Sequence, residues 1–337
     1  MAGGAEFSRR GLLGAAGLAG IGAFVAACGG GSGGDDASGG GAWAFTDDRG
    51  KKAAAKARPR RVVAYIGSAA VLTDLGVGDR IAGVFGPSKQ GGRVDPMSGN
   101  VDVDKIPSLG VTFGEFNVEK YAALHPELLV THMFVKDVLW YVPDKSKVKI
   151  AQLAPEVGVN VFDVDLRHPI ERYAELAASL GADLKSAANT AAKTRFDTSI
   201  STLRDAVKKN GKNIKVLAAS AAADALYASA PPKYPDLAYF SRLGVDFVQP
   251  KPDSQGFFEE LSWENAGKYD ADLIMLDSRS QALQPKQLRS KPTWNSLPAV
   301  KAGQIVPWLS EPRYSYAGCA PTIEALAKSI ASARKVT

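Results

Sequence analysis

The chain is 337 residues long, with 45% hydrophobic and 23% charged residues, a balance that buries a substantial core and excludes disorder over most of its length. Two cysteines exclude a disulfide scaffold, and three scattered histidines, His125, His132 and His168, argue against a histidine-rich zinc or copper site. The net charge of +6 sets 41 basic against 35 acidic residues with no basic block or aromatic-basic motif, which argues against a nucleic-acid partner.

Residues 1–27 read as a signal peptide: Ser8-Arg9-Arg10-Gly11-Leu12-Leu13, then an uncharged Ala/Gly/Leu-rich run to Ala27. A transmembrane anchor is the rival reading, and the glycines in the run weaken it. Val25-Ala26-Ala27-Cys28 resembles the bacterial lipobox, so lipid on Cys28 is expected to hold an exported protein at the outer face of the cell membrane. Arg9-Arg10 resembles the twin-arginine signal, although Leu12-Leu13-Gly14 stands where that pattern usually has Phe-Leu-Lys, and the general secretory route stays open. Residues 28–42 are a Gly-rich tether with too few apolar residues to fold. With Cys28 lipidated, Cys319 has no disulfide partner and reads as a small buried residue near the start of the last helix.

From Arg58 onward short apolar, β-branched runs alternate with helical stretches. The predicted strands are Val62–Ile66, Ile81–Phe85, Leu128–His132, Val159–Val164, Ile214–Ser220, Asp246–Gln249, Leu273–Asp277 and Gln304–Pro307. Helices are predicted at Ala69–Leu75, Val118–Leu124, Lys147–Leu153, Leu237–Leu243 and Thr322–Ala333. Such alternation implies parallel sheet. Residues 169–209 contain no strand candidate and show long helical periodicity, so a long backbone helix is expected between an N-terminal lobe, 43–168, and a C-terminal lobe, 210–337.

The two halves echo each other. Glu119 to Val130 aligns without a gap against Glu264 to Met275, with a glutamate eight residues ahead of an acid in both, Glu127 and Asp272. Each half also carries Leu-Gly-Val between an apolar helix and a strand, Leu75-Gly76-Val77 and Leu243-Gly244-Val245. Two related, Rossmann-like α/β lobes are the economical explanation, chance similarity among βα units the plainer one.

These residues resemble the solute-binding lipoproteins of iron-siderophore and cobalamin ABC importers, the bilobed type with a helical backbone. The resemblance rests on Phe45-Thr46-Asp47-Asp48-Arg49-Gly50, Pro59-Arg60-Arg61-Val62-Val63, Leu75-Gly76-Val77 and Asn117-x-Glu119…Pro126-Glu127-Leu128-Leu129-Val130, and it covers about residues 43 to 335. Two departures are Glu127, where the family commonly has Asp, and a long insert from Ser88 to Lys105. The resemblance implies a ligand cleft between the lobes, and the rule that open α/β sheets bind ligands beyond the carboxyl ends of their strands places it likewise.

The loops at those ends hold Tyr65, Phe85, Phe113, His132, Phe134, Trp140 and Tyr141 in the first lobe, and Tyr227, Phe257, Phe258, Arg279, Trp308, Arg313, Tyr314 and Tyr316 in the second. A ferric siderophore arrives with its iron already wrapped in oxygen, so its carrier needs no metal ligands and no cofactor of its own. It needs flat apolar area and a few charge-assisted donors. Arg313, set among Trp308, Tyr314 and Tyr316, is the first candidate donor and Arg279 the second. Each has a plainer reading as the partner of a carboxylate within its lobe. His132 reads as structural unless the cargo is haem, when it or a tyrosine gains a use as axial ligand.

The resemblance further implies that Glu119 and Glu264 dock onto arginines of the ABC permease, where exposed carboxylates mainly set orientation and encounter rate. The plainer reading of each is a helix-start carboxylate facing the dipole. The expected protein is a monomeric, non-enzymatic binder that captures a ferric siderophore, hydroxamate type favoured, and delivers it to the permease. Cobalamin or haem cargo is the alternative, and a secreted enzyme is disfavoured because no nucleophile-base spacing, zinc motif or phosphate loop appears.

Overall fold

The computed structural model describes residues 41–211 and 214–337; the segment expected to be an export signal, the expected lipidation site Cys28 and most of the expected Gly-rich tether lie outside the described residues. A hairpin of β1 (Trp43–Thr46) and β2 (Lys52–Ala55) precedes the first lobe. That lobe contains β3 (Val62–Tyr65), α1 (Ile66–Asp74), β4 (Ile81–Phe85), the short hairpin β5 (Lys89–Gln90) and β6 (Arg93–Val94), α2 (Val118–Ala123), β7 (Leu128–Met133), α3 (Lys147–Leu153) and β8 (Glu156–Asn160). Two helices follow, α4 (Arg167–Ser179) and α5 (Ala187–Lys209). The second lobe contains β9 (Lys215–Ala221), β10 (Ala225–Ser229), α6 (Pro235–Arg242), β11 (Asp246–Phe247), β12 (Phe258–Ser262), β13 (Leu273–Asp277), the short helices α7 (Pro285–Leu288), α8 (Pro292–Ser296) and α9 (Pro298–Lys301), β14 (Ile305–Trp308) and the closing helix α10 (Tyr316–Ser332).

The first sheet is parallel in the order β4-β3-β7-β8. In the second, β11, β9, β13 and β14 pair in parallel in that same order. Every residue of β3, β7 and β13 is buried, as central strands covered on both faces require. The echoed acids have a shared task. Glu127 Oε2 accepts the Arg60 and Arg61 amides at 2.5 and 3.2 Å, and Asp272 Oδ2 accepts the Lys215 amide at 2.9 Å. Each acid thereby ties the start of one central strand to that of its neighbour, β7 to β3 and β13 to β9. The two Leu-Gly-Val segments are equivalent as well. Gly76 and Gly244 stand at φ 93° and 96° and end α1 and α6, with Val77 N reaching Leu72 O at 3.0 Å and Val245 N reaching Phe240 O at 3.1 Å.

Three expectations are corrected. The second sheet is mixed, because β10 runs antiparallel to β9 and β12 antiparallel to β10; an alanine-rich strand such as β10 lacks the β-branched signal. The strand expected at Val159–Val164 lies at Glu156–Asn160, where the Asn160 side chain accepts the Phe162 amide at 3.0 Å and turns the chain out of the sheet. The helical segment 169–209 is two helices. Gly181 at φ 99° breaks it, and the Ser186 hydroxyl caps α5 by accepting from Asn189 N at 3.3 Å.

At 23 residues α5 spans about 35 Å, enough to run the width of a lobe. It lies along α10, fastened by Arg195, whose Nε and Nη2 both reach the Glu324 carboxylate at 2.7 Å. One buried core runs from the first sheet through α4, α5 and α10 to the inner face of the second sheet. A smaller core, built around Trp294, Leu288, Ile274 and Leu276, lies on the outer face beneath α7, α8 and α9.

Candidate functional site

The loop that follows β7 faces those that follow β10, β13 and β14 and the one that leads into β12 across a cleft of two adjoining hollows of ≈ 200 and ≈ 260 Å³, which share Tyr234, Phe258, Arg279 and Ser310. On the first lobe, Thr131 Oγ1 donates to Trp140 O at 2.9 Å and Trp140 N to His132 O at 3.0 Å. These bonds fold the loop back over β7, and non-glycine residues at positive φ, Asp137 and Tyr141, make its turns. Phe134 and Trp140 thus stand together as one wall, ring centroids 5.0 Å apart, and Phe113, 62% exposed, packs on Trp140 at 5.2 Å. The opposite wall is Tyr234, Phe257, Phe258 and Tyr227, the last two at 4.9 Å. Pro231 and Pro232 open the turn that leads to Tyr234, and Ala230 N holds Phe257 O at 2.8 Å.

Arg279 closes the floor. Its Nε and Nη2 reach Asp277 Oδ2 at 3.0 and 2.8 Å, and Nη1 donates to Glu311. Glu311 Oε2 accepts the Tyr65 hydroxyl at 2.5 Å, a bond from one lobe to the other. A second such link joins Asp95, on the insert after β6, to Ser280, whose N and Oγ lie 2.8 and 2.6 Å from its carboxylate. Burial disfavours the Arg279 charge, but the carboxylates of Asp277 and Glu311 more than offset this and raise its pKa. Burial raises the Glu311 pKa, helped by Asp277 and Asp95, against the opposing pull of Arg279 and the Tyr65 hydroxyl, which place one donor on each carboxylate oxygen.

Of the residues expected at the cleft, Trp140, Tyr227, Phe258 and Arg279 line it, and Phe113 extends the Trp140 wall. Tyr65 and Tyr141 lie beneath it, their ring centroids 5.4 Å apart and their planes tilted. Several others belong elsewhere. Phe85 is wholly buried behind Tyr65. His132 is buried with Nδ1 2.6 Å from the Tyr173 hydroxyl, and burial drops its pKa to about 3, so the ring is neutral. Its Nε2 packs against Gly67, where a Cβ would come within 2.9 Å, so it does not point into the cleft. Trp308 is buried with its indole N–H on Asp236 at 2.7 Å, and Tyr314 is buried edge-on to His132 at 5.2 Å. Tyr316 packs on Phe196 of α5 at 5.1 Å.

Arg313, the first candidate donor, is also absent from the lining. Its Nη1 lies 3.0 and 3.1 Å from the two oxygens of Asp74, the last residue of α1, whose side chain is 1% exposed. A carboxylate buried that deeply requires a cation, so Arg313 bridges the lobes. Sequence reasoning missed Tyr234, Ser310, Glu311 and Asp95. The Pro-Pro turn ahead of Tyr234 and the acid two places before Arg313 were the available signals.

Glu119 and Glu264 are both exposed, Glu119 in the first turn of α2 and Glu264 in the single turn Trp263–Asn265. Cys319 is buried in the first turn of α10, with Sγ 3.3 Å from Arg313 O, and burial raises its pKa, which leaves it an inert thiol. A hollow of ≈ 320 Å³ bounded by Arg49, Val138, Lys147 and Glu156 lies between the loop after β7, α3 and the start of β8 and has no aromatic lining.

The family described as periplasmic binding protein matches residues 62–312. A search of curated proteins finds no match. Among solved structures, DesE, a ferric-siderophore receptor protein from Streptomyces coelicolor, is 46% identical and superposes with a TM-score of 0.84, covering 88% of this chain and 100% of its own. The petrobactin-binding protein YclQ from Bacillus subtilis is 20% identical with a TM-score of 0.63, over 86% of this chain and 97% of its own. The periplasmic haem-binding protein RhuT from Roseiflexus sp. RS-1 is 14% identical with a TM-score of 0.58, over 81% and 98%. At these lower identities the likeness speaks for the fold alone.

Proposed function

The chain belongs to the periplasmic binding protein family, and we propose from that premise that it captures a ferric siderophore between its lobes and delivers it to an ABC permease. The observation that carries this reading is Arg279 held at the floor of an aromatic-walled cleft, in a chain 46% identical to a ferric-siderophore receptor. The walls offer flat apolar area to the organic scaffold, and the guanidinium edge offers N–H groups to iron-bound oxygens. A hydroxamate ligand is favoured because its iron core asks for few such donors. A haem cargo would have to rely on a cleft tyrosine, because His132, the other candidate axial ligand, is enclosed in the first lobe.

The wider reading keeps the sequence expectations: residues 1–27 as an export signal, lipid on Cys28 as anchor, residues 28–42 as tether, a monomer, and Glu119 with Glu264 as the pair that meets the permease. Quenching of tryptophan fluorescence by a ferric trihydroxamate tests the site, with Trp140 as the reporter in the wall. Arg279→Ala is expected to weaken binding by roughly tenfold or more, and Arg279→Lys, which keeps the charge and loses the fork, by less. Arg204→Ala, on the exposed face of α5, is the control. Equal behaviour of Arg279→Ala and Arg204→Ala would remove Arg279 as the donor. For docking, Glu119→Ala combined with Glu264→Ala is expected to leave binding intact and reduce uptake by cells.

A further inference from the structure

We propose that Glu311 makes the cleft select its ligand by charge, admitting a neutral or cationic ferric complex and turning away an anionic one. This rests on the ferric-siderophore reading and adds to it. Arg279 is the one cation lining the two hollows among the described residues, and it is already engaged twice, by Asp277 and by Glu311. Asp95 stands close by as a third carboxylate, accepting from Met97 N, Ser280 N and Ser280 Oγ at 2.9, 2.8 and 2.6 Å. The floor therefore sets three carboxylates against one guanidinium. Glu311 is the one of the three that lines the hollow, its side chain 11% exposed, whereas Asp277 is fully covered.

The chemistry of the ligands turns that imbalance into a choice. Three hydroxamate oxyanions cancel the charge of iron(III), and a pendant ammonium makes the whole complex a cation. Three catecholates, doubly deprotonated, leave a trianion. In a cleft partly shielded from water such a trianion is repelled by the surplus carboxylates. Neutralising Glu311 acts twice, removing a negative charge from the lining and releasing Arg279 Nη1 toward the ligand. Gln at this position still accepts the Tyr65 hydroxyl, so the bond between lobes survives.

The test compares full-length wild type with Glu311→Gln by fluorescence titration at low salt. The probes are ferrioxamine B, a cation, its neutral N-acetyl form, and a trianionic ferric tricatecholate. Wild type is expected to bind both trihydroxamates and to discriminate against the trianion. In Glu311→Gln the ratio of the trianion's affinity to the cation's is expected to rise about tenfold or more, less at high salt. Asp95→Asn, which removes a charge from behind the lining, is expected to shift the ratio the same way by less, and it carries the test if Glu311→Gln fails to fold. A wild type that binds cation and trianion alike, or a folded variant with an unchanged ratio, overturns the charge selection and leaves the siderophore reading standing. A wild type that binds none of the three overturns both.

Discussion

Asp236 is buried with one oxygen on the Trp308 indole and the other without a partner among the described residues. Burial pushes its pKa up to about 6, well above the usual carboxylate range. The folded state thus holds this proton more tightly than the unfolded chain does. The resulting contribution to stability is complete below the unfolded pKa near 4, fades as the pH rises through about 6, and is gone above it. Asp236→Asn is expected to gain on wild type by on the order of 2 kcal/mol between about pH 4 and pH 7.5, read from urea melts at the two pH values. A difference between the proteins that does not change with pH would show that the acid titrates normally. Trp308 reports the same event, since its indole loses or keeps a charged neighbour as the acid titrates.

At the scale of elements, the paired glycines that close α1 and α6 carry a matched prediction. Both stand at positive φ, a region in which a Cβ is strained, so Gly76→Ala and Gly244→Ala should each cost about 1–2 kcal/mol in chemical denaturation. Their effects should add, because the two turns lie in different lobes. These turns, the strands after them and the paired acids were legible in the sequence, since periodicity, Gly at a helix end and an acid at a strand start are local signals. What local signals do not carry went unread: β10 and β12 owe their place to pairing across the second sheet, and the break before α5 to one glycine inside an otherwise continuous helical pattern.

For the whole molecule the decisive contacts are those between lobes. Asp74 with Arg313, and Glu311 with Tyr65 and Arg279, are long-range pairings that no sequence spacing announces, which is why Arg313 looked like a ligand donor. Of the cleft, Trp140, Tyr227, Phe257, Phe258 and Arg279 could be read from the strand ends, while Tyr234 was missed and the direction of each ring depended on how the loops fold. Arg313→Ala should leave Asp74 buried without its cation and destabilise the protein by about 3–5 kcal/mol in thermal or urea unfolding. Ligand affinity in that variant should stay near wild type; a large loss would return Arg313 to the cleft. With α5 lying along α10 and one core running through both lobes, small-angle scattering should show little compaction on loading, and a large decrease in radius would contradict the helical brace. Glu127 and Asp272 fasten their strands at the pole remote from the cleft. The framework of each half is thus secured where no cargo touches it, and the opposite rim is free to vary in length and composition. Segments transplanted there from a relative should retarget the carrier without undoing its scaffold.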